Sequence, residues 1–337
     1  MTERMRDSLQ AFYRHRREAQ EDHRQRRIYE IERRFPQLRD LRFAMKKAQL
    51  RAALASSDED SAAALEALHR VEQAWEAACK TAAVSSHYDQ IEAVCSICAD
   101  SGVSRSGEDC SCQVEARVAV IESSNLSLAD PDADFSKYDL SLFNDEERNQ
   151  ALQRLQTARE YTRSLEAAFC RANEADQRRR AQEKLGLGFL FMGEAGTGKS
   201  YLASCIASEL RRRGVFALFL NALDFFFRVQ DYRRSKIYQP SPERFEAIED
   251  AYDEIFESEL LILDDIGAED ELFKGQVDFL LYVLNRRQAS RLPSILITNL
   301  DARQIYERYT ERIQSRLFGD FNVLIFESAD LRFRSKS

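Results

Sequence analysis

The chain has 337 residues, 44% of them hydrophobic and 31% charged, with a net charge of -8. The length suggests roughly two domains, and 11 glycines with 5 prolines are too few for collagen-like, all-β or long-linker designs. The negative balance excludes a protein that coats nucleic acid indiscriminately. No apolar run approaches the roughly 18 residues of a membrane span. The charged opening MTERMRDSLQ also lacks the apolar stretch of a secretory signal. A cytoplasmic protein with no membrane partner is therefore expected, in which clustered thiols hold metal more often than they form disulfides.

Charge is unevenly placed. Residues 1–51 hold 15 Lys/Arg against 8 Asp/Glu, which reads equally as a solvated helix face or as a binding arm. Residues 5–34 are helix-favouring up to Pro36, and a second helix is expected from about Leu38 to Leu54. Ser56 and Ser57, with the acids of SSDED, read as a cap and a negative first turn. Beyond them Leu65, Leu68, Val71, Trp75 and Ala78 recur at helical spacing, an amphipathic stripe expected to pack on neighbouring helices.

Four of the seven cysteines then fall within CSICADSGVSRSGEDCSC. Cys95-x-x-Cys98 and Cys110-x-Cys112 are separated by a turn containing Gly102 and Gly107, so four thiolates can fold back around a tetrahedral zinc ion. The single residue between the second pair is tighter than usual for zinc, and a metal-free thiol cluster is the alternative. Cys79, Cys170 and Cys205 lie in helical stretches and read as packing residues. An irregular connector follows, then a helix near 144–183.

From about Leu187 the pattern changes. GFLFM, VFALFL, ELLILDD, SILITNL and FNVLIFES alternate with helical segments, the signature of a parallel sheet covered on both faces. GFLFM runs into Gly193, Glu194, Ala195, Gly196, Thr197, Gly198, Lys199 and Ser200, a complete G-x-x-x-x-G-K-[ST] loop followed by Tyr201 and a helix ended by Gly214. Such a loop turns backbone N–H groups onto phosphate oxygens at a helix N-terminus. Lys199 is expected on the β- and γ-phosphates and Ser200 on Mg²⁺. LLILDD ends a strand in two acids: Asp264 for Mg²⁺ and Asp265 to orient or deprotonate the attacking water. Aspartate is shorter than the glutamate common in the second place, so slow turnover is expected. Asn299 ends SILITNL and suits a sensor of the γ-phosphate. Arg312 and Arg316 share one helical face, where an arginine can reach the γ-phosphate of a neighbouring subunit. Between the second and third strands, Arg228, Arg233, Arg234 and Lys236 lie among aromatics, a mixture suited to single-stranded DNA; the triple Phe beside them reads as core.

GEAGTGKS, LLILDDIG, ILITNL and ERIQSRL, in this order, resemble the AAA+ ATPases of the DnaC/DnaI helicase-loader and IstB group over about Phe135 to Arg332, with Asp330–Arg332 resembling its closing motif. The resemblance implies an α/β fold: an AAA+ P-loop ATPase core with a five-stranded parallel sheet and a short or absent C-terminal lid. It also implies ATP and Mg²⁺ as ligands, assembly into a homo-oligomer through the ATP site, and Phe135 and Tyr138 near the adenine. RRIYEIERRFPQL followed by C-x-x-C-x-D-x-G and C-x-C resembles the front half of DnaI-like loaders. The expected organisation is a helical region at 1–92 that contacts a hexameric replicative helicase, a Cys-rich zinc module with connector at 93–128, and the ATPase at 129–337. The rival expectations are an IstB-like transposition helper, a P-loop adaptor with little hydrolysis, and a small-molecule P-loop kinase.

Overall fold

A computed structural model describes residues 3–55, 57–123, 130, 132–171, 185–268 and 277–334. Two compact units emerge: Gln10–Cys110, and Ser111–Ser337 together with Met1–Leu9.

The first unit is built on α1 (Glu3–Arg34) from Gln10 onward, α2 (Pro36–Leu54) and α3 (Asp58–Ala82). Pro36 opens α2, where a missing N–H costs nothing. The Ser57 hydroxyl caps α3 by accepting the Asp60 N–H, and Ala83 ends it in the left-handed region. The core joins Ile28, Leu38, Trp75, Cys79 and Tyr88. Trp75 stacks on Tyr88 at 5.3 Å and donates its indole N–H to Ser86 O. The expected stripe on α3 holds for Leu68, Val71, Trp75 and Ala78, but Leu65 is exposed and Ala64 takes the buried position.

The basic arm has a job that neither sequence reading foresaw. Arg17, Arg24 and Arg27 reach across to main-chain carbonyls of Asp100, Asp89, Tyr88 and Gln90 at 2.6–3.0 Å. Arg42 forms a bidentate pair with Glu32. Cations from helices thus satisfy the carbonyls of a segment with almost no secondary structure of its own, which must find partners somewhere.

The second unit carries α4 (Gln113–Ser123), α5 (Asp145–Glu166), β1 (Gly188–Gly193), α6 (Lys199–Arg212), β2 (Ala217–Asn221), α7 (Ala222–Tyr238), α8 (Pro242–Glu257), β3 (Leu260–Asp264), α9 (Val277–Ala289), β4 (Ser294–Thr298), α10 (Ala302–Arg308), α11 (Glu311–Gly319) and β5 (Asn322–Phe326). The expected five-stranded parallel sheet is present, in the order β2-β3-β4-β1-β5. Of the helix expected near 144–183, the described part begins with α5, which Asn144 starts with a capping box, and runs into a π-turn at Ala167–Arg171. Residues 172–184 lie outside the described ones.

Alternation along the strands sorts side chains to two cores. Phe189, Phe191, Phe219, Ile262 and Ile297 face one layer with Leu155, Tyr161 and Leu165 of α5 and Leu202 and Ile206 of α6. Leu190, Met192, Leu220, Leu263 and Leu296 face the other, with Phe225, Phe226, Phe256, Val283 and Leu317. Both faces being covered explains why the strands read as unbroken apolar runs.

Candidate nucleotide site and cysteine cluster

Parallel strands bring their carboxyl ends to one edge of the sheet, and ligands of such sheets bind there beside a point where strand order reverses. β1, lying between β4 and β5, hands the chain to Gly193–Ser200 at that edge. Gly198 precedes α6 with φ 91° and Lys199 is the first helical residue. Lys199 is almost wholly buried; its ammonium donates to Gly193 O at 2.7 Å and Glu194 O at 2.6 Å. Burial pulls its pKa down while Asp264 and Asp265 oppose that pull. Thr197 is buried and ties its hydroxyl to Glu194 O, whereas Glu194 and Ala195 are exposed.

Asp264 ends β3 almost wholly buried. Burial pushes its carboxyl up, and the Ser200 hydroxyl beside it holds it down. A buried carboxylate beside a hydroxyl, short of full compensation, is the donor set a hard divalent cation takes, so Ser200 and Asp264 fit Mg²⁺. Asp265 follows with φ 56°, a left-handed geometry that aspartate tolerates. Its N–H donates to Asp264 Oδ1 and its Oδ1 accepts from Asn299 Nδ2, each at 2.9 Å. Lys199, Ser200, Asp264, Asp265 and Asn299, far apart in sequence, meet here.

A cavity of about 510 Å³ opens beside the loop. One wall is Gly196, Gly198, Ser200 and Tyr201; a second is Lys137, Tyr138, Asp139, Leu142 and Phe143; Leu331 and Arg332 complete it. Tyr138 is buried with its ring 6.3 Å from that of Tyr201. Phe135 does not line the cavity; it packs half-buried under the Arg159 guanidinium. The contribution of Leu142, Phe143 and Leu331 left no trace in sequence spacing, because they come from segments far apart in the chain that meet only in the tertiary fold.

The arginines sort differently. α11 buries Ile313 and Leu317 and turns Arg312 and Arg316 outward; Arg316 pairs with Asp320 at 2.6 Å, and neither lines the cavity. On α7, Arg228 is half-buried and bonds Ala251 O and Glu254 at 3.0 and 2.8 Å. Lys236 pairs with Glu249 and lies over Tyr232 and Phe245, Arg233 lies over Phe279, and Arg233 and Arg234 are exposed. Of the triple Phe, Phe225 and Phe226 are core and Phe227 is half-exposed.

The sulfurs of Cys95, Cys98, Cys110 and Cys112 lie within 4.8 Å of one another, with Cys95 and Cys110 at 3.7 Å. Four Zn–S bonds of about 2.3 Å require sulfurs about 3.8 Å apart, so the thiols fit zinc. Asp100, wholly buried, builds the first knuckle by accepting the N–H groups of Val94 and Cys95 at 2.8 and 2.9 Å. Cys110 N donates to Gly102 O, which closes the glycine turn. The tight second pair is accommodated because Cys112 stands at the head of α4, where its carbonyl accepts the Ala116 N–H. Cys79, Cys170 and Cys205 lie outside this group of four, and burial lifts Cys205 to about 12 and Cys170 to about 11.

Residues 189–321 match the family model for the ATPase family associated with various cellular activities (AAA). Over this stretch, which is less than half of its length, the chain is similar to AAA proteins. Its particular likeness is to the replicative helicase loader DnaC of Escherichia coli strain K12, 28% identical over 148 residues, which are 43% of this chain and 56% of that one. The match thus spans little more than half the length of that relative. The uncharacterized protein YdaV of Escherichia coli K12 is 31% identical over 38% of this chain and 48% of its own. Among solved structures, that of DnaI is similar at 24% identity and a TM-score of 0.39, over 60% of this chain and 92% of that one. No helix of the described residues is long and apolar enough to cross a membrane.

Proposed function

We propose that this protein is an ATP-dependent loader of a hexameric replicative helicase. The observation that carries the reading is the convergence of Lys199, Ser200, Asp264, Asp265 and Asn299 at one sheet edge, beside a cavity sized for a nucleoside. The likeness to DnaC supplies the biological setting.

An arriving triphosphate takes the Lys199 ammonium from the Gly193 and Glu194 carbonyls and the loop N–H groups from solvent. Tyr138, Tyr201, Leu142 and Phe143 give the base an apolar slot. Mg²⁺, held by Ser200 and Asp264, supplies charge neutralisation when bound. Asp265, its carboxylate fixed by the Asn299 amide, orients the water that attacks the γ-phosphate. Arg316, turned outward on α11 and paired with Asp320, serves the site of an adjoining copy. Arg233 and Arg234, exposed on α7, are the cations left for a single strand. The zinc-fitted cysteine loop stiffens a helicase-contacting front unit whose apolar core is small.

The test is ATP turnover with and without single-stranded DNA, together with co-purification with the hexameric replicative helicase of the source cell. Stimulation by DNA and retention of the helicase are expected, both with ATP and both lost in Lys199→Ala. Turnover indifferent to DNA and no retained helicase would overturn the proposal.

A further inference from the structure

The last described residues return to the nucleotide cavity as a strap, tied at both ends. At the near end the Leu331 N–H donates to Gly196 O at 2.9 Å. Asp330 lies so close to Gly196 that a Cβ there would stand 2.0 Å from its Oδ1, and Gly196 has φ 78°. Its left-handed φ and the approach of Asp330 both call for glycine at this position of the phosphate loop. At the far end Arg334 donates to both Glu147 oxygens, at 2.5 and 3.0 Å, and to Leu142 O at 2.8 Å. Glu147 also accepts the Ala329 N–H at 3.3 Å and the Asn144 N–H at 3.1 Å. One carboxylate therefore grips the start of the strap, its end, and the cap of α5, the helix that follows the cavity wall at 137–143. Between these ties Leu331 and Arg332 are carried into the cavity wall.

We infer that Glu147 and Arg334 are a positioning pair for nucleotide binding, which holds the strap Ala329–Arg334 closed against the base and ribose end of the cavity. The inference rests on the proposed nucleotide site. Neither residue touches the phosphate loop. Their effect runs through Leu331 and Arg332, so it falls equally on ATP and ADP. The pair is bidentate and half-buried, a geometry that holds well where loose surface pairs do not.

The experiment measures nucleotide affinity and dissociation rate for the full chain with fluorescent ATP and ADP analogues. Glu147→Gln keeps one side-chain oxygen to accept the Asn144 N–H and loses the charge; Arg334→Ala leaves α5 untouched. Each is expected to weaken ATP and ADP alike by about tenfold, mainly through faster dissociation. Glu147→Arg combined with Arg334→Glu is expected to recover affinity that either reversal alone loses, which a merely structural defect would not do. Wild-type affinity in both Glu147→Gln and Arg334→Ala would overturn the inference, as would a loss confined to ATP. If the unaltered chain binds neither nucleotide, the proposed site itself fails; if it binds and only Lys199→Ala loses binding, the strap alone fails.

Discussion

Replacing Arg117 by methionine should unfasten α4 from the parallel sheet. Arg117 and Glu259 are both more than nine-tenths buried and meet at 2.5 Å. Arg117 Nε also donates to Gly214 O at 2.6 Å, and Glu259 Oε2 accepts the Phe216 N–H at 2.9 Å. The arginine is held charged by Glu259 against the cost of burial. Removing it leaves a carboxylate with one N–H donor in a dry site, and breaking such a pair costs about 3–5 kcal/mol. The surviving Phe216 N–H places this case nearer the lower figure. With a urea slope of up to about 3 kcal/mol per molar, the midpoint should fall by about 1 M. The readout is hydrogen exchange in β2 and β3, since the sole tryptophan, Trp75, lies in the other unit. Arg117→Met with Glu259→Gln should recover about half the loss, because no charge is stranded and the Gln oxygen still takes the Phe216 N–H. A single substitution that costs less than about 1 kcal/mol, or a double no better than the single, would refute the argument.

Two further outcomes follow from the sites. Asp264→Asn should stabilise the nucleotide-free protein at neutral pH while removing the stabilisation given by Mg²⁺ with ATP. Burial raises the Asp264 carboxyl above its unfolded value, so its favourable contribution is complete below about pH 4 and is lost as pH rises through the folded value. The gain in urea midpoint should shrink as pH falls towards that value, and a constant gain would sink the explanation. For the cysteine cluster, metal analysis of the full chain should give close to one zinc per molecule, falling to near zero in Cys98→Ser with Cys110→Ser. Chelation should raise the exchange rates of the Val94 and Cys95 amides, and rates indifferent to chelator would count against a metal-built knuckle.

Local rules carried a large share of this molecule. The phosphate loop, the acids at Asp264 and Asp265 and the five strands are all legible because each depends on residues adjacent in the chain: a glycine pattern, an apolar run, a cap. Ser57 capping α3 and Gly214 turning out of α6 belong to the same class. Residues whose partners lie far along the chain were read less well. Arg228 stands among aromatics in the sequence, and nothing in that pattern shows that Glu254, on a different helix, holds it. The arginines of α1 looked free until the carbonyls of residues 88–100 claimed several of them.

The sequence by itself thus determined which chemical groups are present, since a phosphate-loop pattern and a set of four cysteines are written in short-range spacing. Tertiary structure alone decided which charges are spent and which remain. Gly196 sits under Asp330, Glu147 meets Arg334, and Arg117 meets Glu259 across separations of 134, 187 and 142 residues. The reason is physical: a buried charge or a close backbone approach is fixed by whatever the completed fold sets opposite it, and linear order carries no record of that neighbour.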